Sequence, residues 1–147
     1  MLWAILITSF AVSFVIVITL RSLEGRIGIL LEPRQDRWHD EPTPNLGGIG
    51  IFAGFVVGAA FIWSGSGVPG IVMGAGLAFV LGLVDDLWGL SPLSKLVGIT
   101  PAVLVVLFSG GMVSLFPWPW LNGMLSFLWI MGISHAFNLL DNMDGLA

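Results

Sequence analysis

Five long apolar runs, separated by short polar links, constrain this chain more than any other feature of its sequence. Each run is near the ~20 residues that a helix needs to cross a bilayer, which lipid-exposed loops or open sheets cannot span. Of the 147 residues, 56% are hydrophobic and only 10% are charged. We therefore predict an all-α, polytopic membrane protein with a single membrane domain over residues 1–147. The five predicted transmembrane helices are Trp3–Leu20, Leu46–Trp63, Val68–Val84, Leu96–Phe116, with a kink at Pro101, and Leu121–Phe137.

The charged residues predict an orientation. If the runs alternate across the membrane, the links 21–45 and 85–95 and the end 138–147 share one side, and that side holds every Lys and Arg. The positive-inside rule makes it cytoplasmic, so the N-terminus is predicted outside and the protein multi-pass in the inner or plasma membrane. The same side holds all nine Asp and Glu residues, which points to a cytoplasmic site. A net charge of −4 does not indicate nucleic-acid binding.

A pair of carboxylates, Asp85 and Asp86, directly follows the third apolar run. Neighbouring carboxylates at a membrane surface repel each other, and a divalent cation such as Mg²⁺ relieves that repulsion. Lys95 follows the turn Gly-Leu-Ser-Pro and can contact a phosphate as a point charge. The more ordinary explanation is two solvated acids that end a helix, but ionisable groups at membrane depth favour a functional role.

The last stretch, HAFNLLDNMDGLA, places several polar side chains at the end of the fifth run. If its helix continues, Asn138, Asp141 and Asn142 share one face, with Asp144 at the edge and His135 one turn earlier. Such a face can hold a metal or the donors of a nucleotide. A helix C-cap would explain the asparagine but not two aspartates, which a helix C-terminus disfavours.

The polar link before the second run contributes a third candidate, His39. A histidine there can donate to a phosphate, although a loop histidine is more often simply solvated. Gly47 and Gly48 open the second run and are predicted to let another helix approach closely.

Three segments, HDEPTPNLGGIGI, GLVDDLWGLSPLSKL and HAFNLLDNMDGLA, together resemble the early motifs of one membrane enzyme family. These are the polyprenyl-phosphate N-acetylhexosamine-1-phosphate transferases of glycosyltransferase family 4. The family includes phospho-MurNAc-pentapeptide translocase and the undecaprenyl-phosphate GlcNAc-1-phosphate transferases. The third motif is the most specific, and the form TPNLGG is closer to the GlcNAc type. The resemblance covers the chain from about residue 32 to its end.

The resemblance implies an activity and a site. The expected reaction is transfer of a sugar-1-phosphate from a UDP-sugar to undecaprenyl phosphate, with release of UMP and with Mg²⁺, or alternatively Mn²⁺, as cofactor. The implied catalytic residues are Asp85, Asp86, Asp141 and Asp144. The implied substrate-binding residues are Asn138, Asp141, Lys95 and His39, and the implied metal ligands are Asp85, Asp86 and Asn138. Membrane lipid and a second copy of the chain are the other expected partners.

The sequence departs from the family in two ways. His135 stands where members commonly have Asn, and Asn142 where they commonly have Gly. Members also contain further helices, with another magnesium-binding aspartate and a histidine-rich loop, that this sequence lacks. The expectation is an N-terminal part of a longer transferase that is inactive alone, unless a homodimer supplies the second half. Two other hypotheses remain open, an ion- or proton-coupled transporter that uses the carboxylates as a relay, and a non-catalytic membrane fragment.

Overall fold

The computed structural model describes residues 1–27 and 47–141, with side chains for residues 1–23 and 47–138. All regular structure in these residues is helical, which confirms the predicted all-α class. The helices are α1 (Leu2–Ile27), α2 (Gly47–Ala60), α3 (Val68–Trp88), α4 (Pro92–Phe108) and α5 (Pro119–Asp141). Within the described residues, two stretches are long and apolar enough to cross a membrane, Leu2–Leu23 and Val68–Trp88. The five-span topology and its orientation therefore stay predictions.

The first compact unit, Met1–Trp63, packs α2 on α1 through small residues. Gly50, Gly54 and Gly58 recur every four residues, so they lie on one face of α2. A Cβ added at Gly54 would lie 2.8 Å from the carbonyl oxygen of Ser9, so only glycine permits this approach. Membrane helices commonly associate through such small residues, since lipid provides no hydrophobic drive for their association.

The close approach predicted at Gly47 and Gly48 is wrong for the described part of the chain. A Cβ added at either glycine meets no described atom within 4 Å. The glycines that pack lie further along α2, where the helix passes α1. A Gly-Gly pair at a helix start therefore did not identify the packing face, whereas the four-residue spacing does.

The second compact unit, Ser64–Ala147, contains α3, α4 and α5, with α4 in contact with both of the other two helices. Gly74 of α3 lies so close to α4 that an added Cβ would be 2.8 Å from the carbonyl oxygen of Ala102. On the other face of α4, Val103 is 2% exposed and packs in a core with Met131 of α5. The whole core is Ile99, Ala102, Val103, Leu107 and Met131.

The link predicted at 85–95 is much shorter in the structure. α3 continues through Asp85 and Asp86 to Trp88, and α4 already begins at Pro92, so only residues 89–91 are non-helical. Similarly, α1 continues to Ile27 and covers the start of the predicted loop 21–45, whose remainder lies outside the described residues. Short polar stretches can continue an apolar helix, because Asp, Glu, Lys and Arg break the hydropathy pattern without breaking the backbone.

The fourth apolar run contains less helix than predicted. α4 is continuous on both sides of Pro101 but ends at Phe108, and residues 109–118 form a non-helical link. Gly110 has a φ of 99°, a conformation that ends the helix and that side chains rarely adopt. Composition alone did not show this end, since Met112, Val113, Leu115 and Phe116 in the link extend the apolar run.

Side chains of α5 satisfy the backbone of this link. Asn122 accepts hydrogen bonds from the N–H groups of Leu115 (3.2 Å) and Phe116 (2.9 Å), and its amide donates to the Phe116 carbonyl (2.8 Å). Ser126 accepts from the N–H of Val113 at 3.0 Å. Non-helical backbone among apolar elements needs such partners, because each unpaired group is costly there.

Candidate functional site

Asp85 organises the turn between α3 and α4. Its carbonyl oxygen accepts the N–H of Gly89 at 2.8 Å, and its carboxylate Oδ1 accepts the N–H of Leu90 at 2.9 Å. Gly89 has a φ of 65° and caps α3, which a residue with a Cβ would do only under strain. The aspartate thus fixes where the chain leaves α3 and how it enters α4.

Lys95 lies in the first turn of α4 and faces Asp85. Ser91 is the N-cap of this helix, its hydroxyl accepting the N–H of Ser94 at 3.2 Å, and Pro92 follows at a position that suits proline. The Lys95 Nζ is 2.6 Å from Asp85 Oδ2, and the two side chains are only 23% and 16% exposed.

The ion pair compensates two unfavourable positions. An acid near the C-terminus of a helix and a base near the N-terminus of the next both oppose the helix dipoles. Asp85 and Lys95 occupy these positions at α3 and α4, and each supplies the opposite charge that the other needs. The arrangement keeps a cation and a carboxylate fixed together at one end of the unit.

A cavity of about 260 Å³ opens beside this ion pair, and we call it the polar cavity. Its polar walls come from three helices, with Asp85 on α3, Lys95 on α4, and Ser134, His135 and Asn138 on α5. The remaining lining residues are Ala78, Leu81, Gly82 and Ile99. The structure therefore brings together Asp85, Lys95 and Asn138, three of the residues predicted from sequence.

Asp86 does not line the polar cavity with its neighbour. It follows Asp85 within α3, where successive side chains are about 100° apart, and it is half-buried. The paired aspartates of the sequence thus lie on different sides of one helix. The adjacency of two carboxylates in sequence predicts their repulsion but not that both face one ligand.

His135 is the site residue that the sequence analysis noted but did not assign. Its ring is half-buried in the wall of the polar cavity, one turn before Asn138, and its Nε2 atom is buried with no hydrogen-bond partner among the described residues. The departure of this position from the family pattern was the available signal. A buried imidazole nitrogen without a partner is unusual and calls for an explanation.

A second depression, which we call the apolar groove, adjoins the polar cavity. It measures about 220 Å³, and it shares Ala78, Ile99 and Ser134 with the walls of the polar cavity. Small residues of α3, Gly74 and Ala75, form part of its floor. A charged depression and an apolar one thus lie side by side in the same unit.

The donors around the polar cavity fit a metal only in part. Among the described residues, no three His, Cys, Asp or Glu side chains gather as a metal would require. Mg²⁺, however, is commonly held by one or two carboxylates while substrate phosphates complete its octahedron. The carboxylate of Asp85 and the amide of Asn138 in the cavity wall fit that limited requirement.

Several predicted residues lie where the structure gives less detail. Asp141 is the last residue of α5, and its side chain is outside the described part. Asn142, Asp144 and His39 lie outside the described residues altogether, so their assigned roles stay predictions.

Comparison with known proteins places this site in a recognised sequence region. Residues 68–147 match the sequence model described as Glycosyl transferase family 4, and the match begins at the first residue of α3. It therefore covers the ion pair, the polar cavity and all of α5. No solved structure matches the chain.

Curated relatives are similar over nearly the whole chain. One is the probable undecaprenyl-phosphate N-acetylglucosaminyl 1-phosphate transferase of Bacillus subtilis, 31% identical over 97% of this chain and 44% of that protein. Another is the decaprenyl-phosphate N-acetylglucosaminephosphotransferase of Mycolicibacterium smegmatis, 31% identical over 99% of this chain and 40% of that protein. A third, from Thermotoga maritima, is an undecaprenyl-phosphate alpha-N-acetylglucosaminyl 1-phosphate transferase, 29% identical over 92% of this chain and 44% of that protein. The chain thus spans less than half the length of these relatives.

Proposed function

Because the chain belongs to glycosyl transferase family 4, we propose that it forms part of an enzyme that transfers a sugar-1-phosphate to a polyprenyl phosphate. The names of the relatives support GlcNAc-1-phosphate as the transferred group and undecaprenyl phosphate as the acceptor. We further propose a UDP-sugar as donor, so that UMP is the second product. Such a reaction starts the synthesis of a cell-envelope glycan on its lipid carrier.

The observation that carries this proposal is the ion pair in the wall of the polar cavity. Both substrates are phosphate esters, and the polar cavity holds a cation, Lys95, whose position is fixed by Asp85. A preorganised charge of this kind stabilises charge that develops on transferring phosphoryl groups. The adjoining apolar groove gives the hydrocarbon of a lipid substrate a place beside the charged end.

The proposed reaction exchanges one phosphoanhydride for another. An oxygen of the lipid phosphate attacks the β-phosphorus of the UDP-sugar, the bond from that phosphorus to the bridging oxygen breaks, and UMP leaves with that oxygen. The product carries the sugar through a pyrophosphate on the lipid. Lys95 contacts a phosphate oxygen as a point charge, and Asp85 holds Lys95 and the α3–α4 turn in place.

Mg²⁺, when bound, would neutralise charge on the phosphate oxygens. We propose Asp85, Asp86 and Asn138 as the residues that hold it, and Asp141 and Asp144 as further residues of the same site. Both oxygens of Asp85 already accept hydrogen bonds, from Lys95 and Leu90. To hold the metal, Asp85 would have to exchange one of these hydrogen bonds for it, and we assign Asp86 to proton transfer or to the metal.

The activity is tested in membranes that contain the full product of the gene encoding this chain. UDP-GlcNAc, undecaprenyl phosphate and Mg²⁺ are added, and UMP release is measured. We expect release that requires the lipid phosphate and falls strongly in Asp86→Asn. UMP release independent of the lipid would contradict the proposal, and solute or proton flux without any UDP-sugar would favour a transporter.

The proposed active site faces the cytoplasm, where UDP-sugars are available. The chain has no cysteine, so single cysteines can be placed and labelled without background. A cysteine at the exposed Ser66 should react with an impermeant reagent in intact cells, and one at the exposed Ser22 should not. The reverse pattern would place the polar cavity on the outer side and contradict the transferase proposal.

A further inference from the structure

We infer that His135 binds a phosphate oxygen in the polar cavity, beside Lys95, and so forms a phosphate subsite with it. The inference rests on the proposed function for the nature of the ligand, and it assigns a role to a residue that neither the family match nor the relatives' names assign. Its starting point is the buried Nε2 atom of His135, which has no hydrogen-bond partner among the described residues.

The protein groups near His135 do not satisfy this atom. Asp85 lines the same cavity, but its two carboxylate oxygens accept from Leu90 and Lys95 and not from the imidazole. Ser134 and Asn138, the other polar lining residues on α5, make no hydrogen bond to Nε2 either. Because a buried polar group without a partner is destabilising, the arrangement favours a ligand that supplies the missing oxygen.

The charges of the polar cavity select the chemistry of that ligand. Lys95 and an N–H of the imidazole are both hydrogen-bond donors. The carboxylate of Asp85 uses only part of the hydrogen-bonding capacity of Lys95. Lys95 has three ammonium hydrogens, so it can keep Asp85 and still donate to a ligand. A phosphate group, with several acceptor oxygens and a negative charge, matches both donors at once.

The imidazole must turn to make this contact. His135 lines the polar cavity while its Nε2 atom is buried, so rotation about the Cβ–Cγ bond is needed to present the nitrogen. The torsion about that bond is broad in histidine, and rotamer changes are common when ligands bind. The polar cavity is open at Gly82, another of its lining residues, because a Cβ added there meets no described atom within 4 Å.

Either substrate could supply the phosphate, and the structure favours the lipid. The apolar groove shares Ala78, Ile99 and Ser134 with the walls of the polar cavity, so a phosphate at His135 would have an apolar depression beside it. A nucleotide has no hydrocarbon chain that would occupy the apolar groove. The shared chemistry is a phosphate monoester or diester oxygen, and the experiment separates the two sources.

The test is a titration of the whole 147-residue chain, isotope-labelled at histidine, in nanodiscs. The chain has only two histidines, His39 and His135. The ring signals that disappear in His135→Gln therefore belong to His135, and the remaining ones belong to His39. The probes are farnesyl phosphate, UMP and, as a control without phosphate, farnesol. We expect the His135 ring nitrogens to shift with farnesyl phosphate, and not with farnesol.

Calorimetry of the same mixtures measures affinity independently of the histidine signals. His135→Gln and Lys95→Gln should each weaken binding of farnesyl phosphate roughly tenfold, as expected for loss of a hydrogen bond to a charged group. Phe137→Leu, two residues along α5 and 66% exposed, is the matched control and should bind as the unmodified chain does. A shift with UMP instead of farnesyl phosphate would keep the phosphate subsite and assign it to the nucleotide.

Three results would overturn the inference. They are binding that leaves the His135 signals unmoved, equal shifts with farnesol and farnesyl phosphate, and no binding of either phosphate at millimolar concentration. The assay of UMP release is separate from this titration. Phosphate binding at His135 without UMP release would remove the proposed function and keep the subsite, whereas UMP release without the shift would do the opposite.

Discussion

The two ends of the α3–α5 unit hold polar side chains in opposite states. At the closed end, Asn122 and Ser126 of α5 form hydrogen bonds with the backbone of the link 109–118. These two side chains are 7% and 3% exposed. At the open end, Asp85, Lys95 and His135 surround a cavity, and one of their polar atoms has no partner among the described residues.

The difference distinguishes polar groups that stabilise the fold from polar groups that can bind a ligand. A buried amide whose oxygen and nitrogen are both paired with protein groups holds the backbone in place. A charged pair beside an open cavity, with an unpaired imidazole nitrogen in its wall, retains binding capacity at the expense of local stability. The closed end should therefore respond to mutation in stability, and the open end in activity.

The largest effect is expected at the open end, on activity. Lys95→Gln removes the cation of the polar cavity and should lower UMP release about a hundredfold or more, in the range seen when one preorganised donor is lost. The assay is the UMP release described above, with expression checked in the same membranes. Ser94→Ala, at an exposed neighbour in the same helical turn, should stay within about threefold. Equal losses in both variants would mean that the start of α4 had been damaged as a whole.

At the closed end the expected effect is on stability. Asn122→Leu leaves the N–H groups of Leu115 and Phe116 and the carbonyl of Phe116 unpaired. The free energy of unfolding should fall by about 3 kcal/mol, followed by tryptophan fluorescence during denaturant unfolding in micelles. Met124→Leu, 50% exposed on the same helix, is the control and should change it by less than about 0.5 kcal/mol. If Asn122→Leu were as stable as this control, the contrast between the two ends would not hold.

The closed end also shows what the sequence could not predict. Among the described residues, the apolar runs correctly predicted five helices, but not that the fourth ends at Phe108, because the hydrogen bonds that permit a non-helical link come from α5. Asn122 follows the aromatic stretch PWPW, and nothing in that sequence context marks it as buried. Its role depends on a contact six residues away, which periodicity cannot show.

At the open end, the sequence predicted which residues belong to the site better than it predicted their positions around the polar cavity. Asp85, Lys95 and Asn138 were candidates by residue type and spacing, and the structure places them around one cavity. The separation of Asp86 from that cavity follows from the helix continuing to Trp88, and the predicted loop 85–95 concealed it. The state of His135 depends on which neighbours reach its ring, and a single sequence carries no such information.

Packing between the two ends provides a smaller test. Gly74→Ala puts a Cβ 2.8 Å from the backbone carbonyl oxygen of Ala102, so α3 and α4 must separate. We expect a loss of about 1–2 kcal/mol in unfolding free energy, since overpacking outweighs the better helix propensity of alanine. The measurement is the same denaturant unfolding. A gain in stability would show that α3 does not pack on α4 as closely as the structure has it.

The smallest effect is expected two turns further along α3, at Gly82 in the wall of the polar cavity. A Cβ added there meets no described atom within 4 Å, so Gly82→Ala should only improve helix propensity, by about 0.5–1 kcal/mol in unfolding free energy. The same methyl group occupies space that the proposed ligand would use, so the affinity for farnesyl phosphate should fall while stability rises. Gly132→Ala on α5 is the matched control, because an added Cβ there also meets no described atom within 4 Å and Gly132 lines neither depression, so stability should rise in the same way while affinity stays unchanged. If Gly82 lies in an open ligand site, Gly82→Ala should raise stability and lower affinity. At a position packed against another helix, the same substitution would lower both. If Gly82→Ala instead destabilised the chain, the polar cavity would have to be closed in solution, and the distinction between the two ends would fail at its open side.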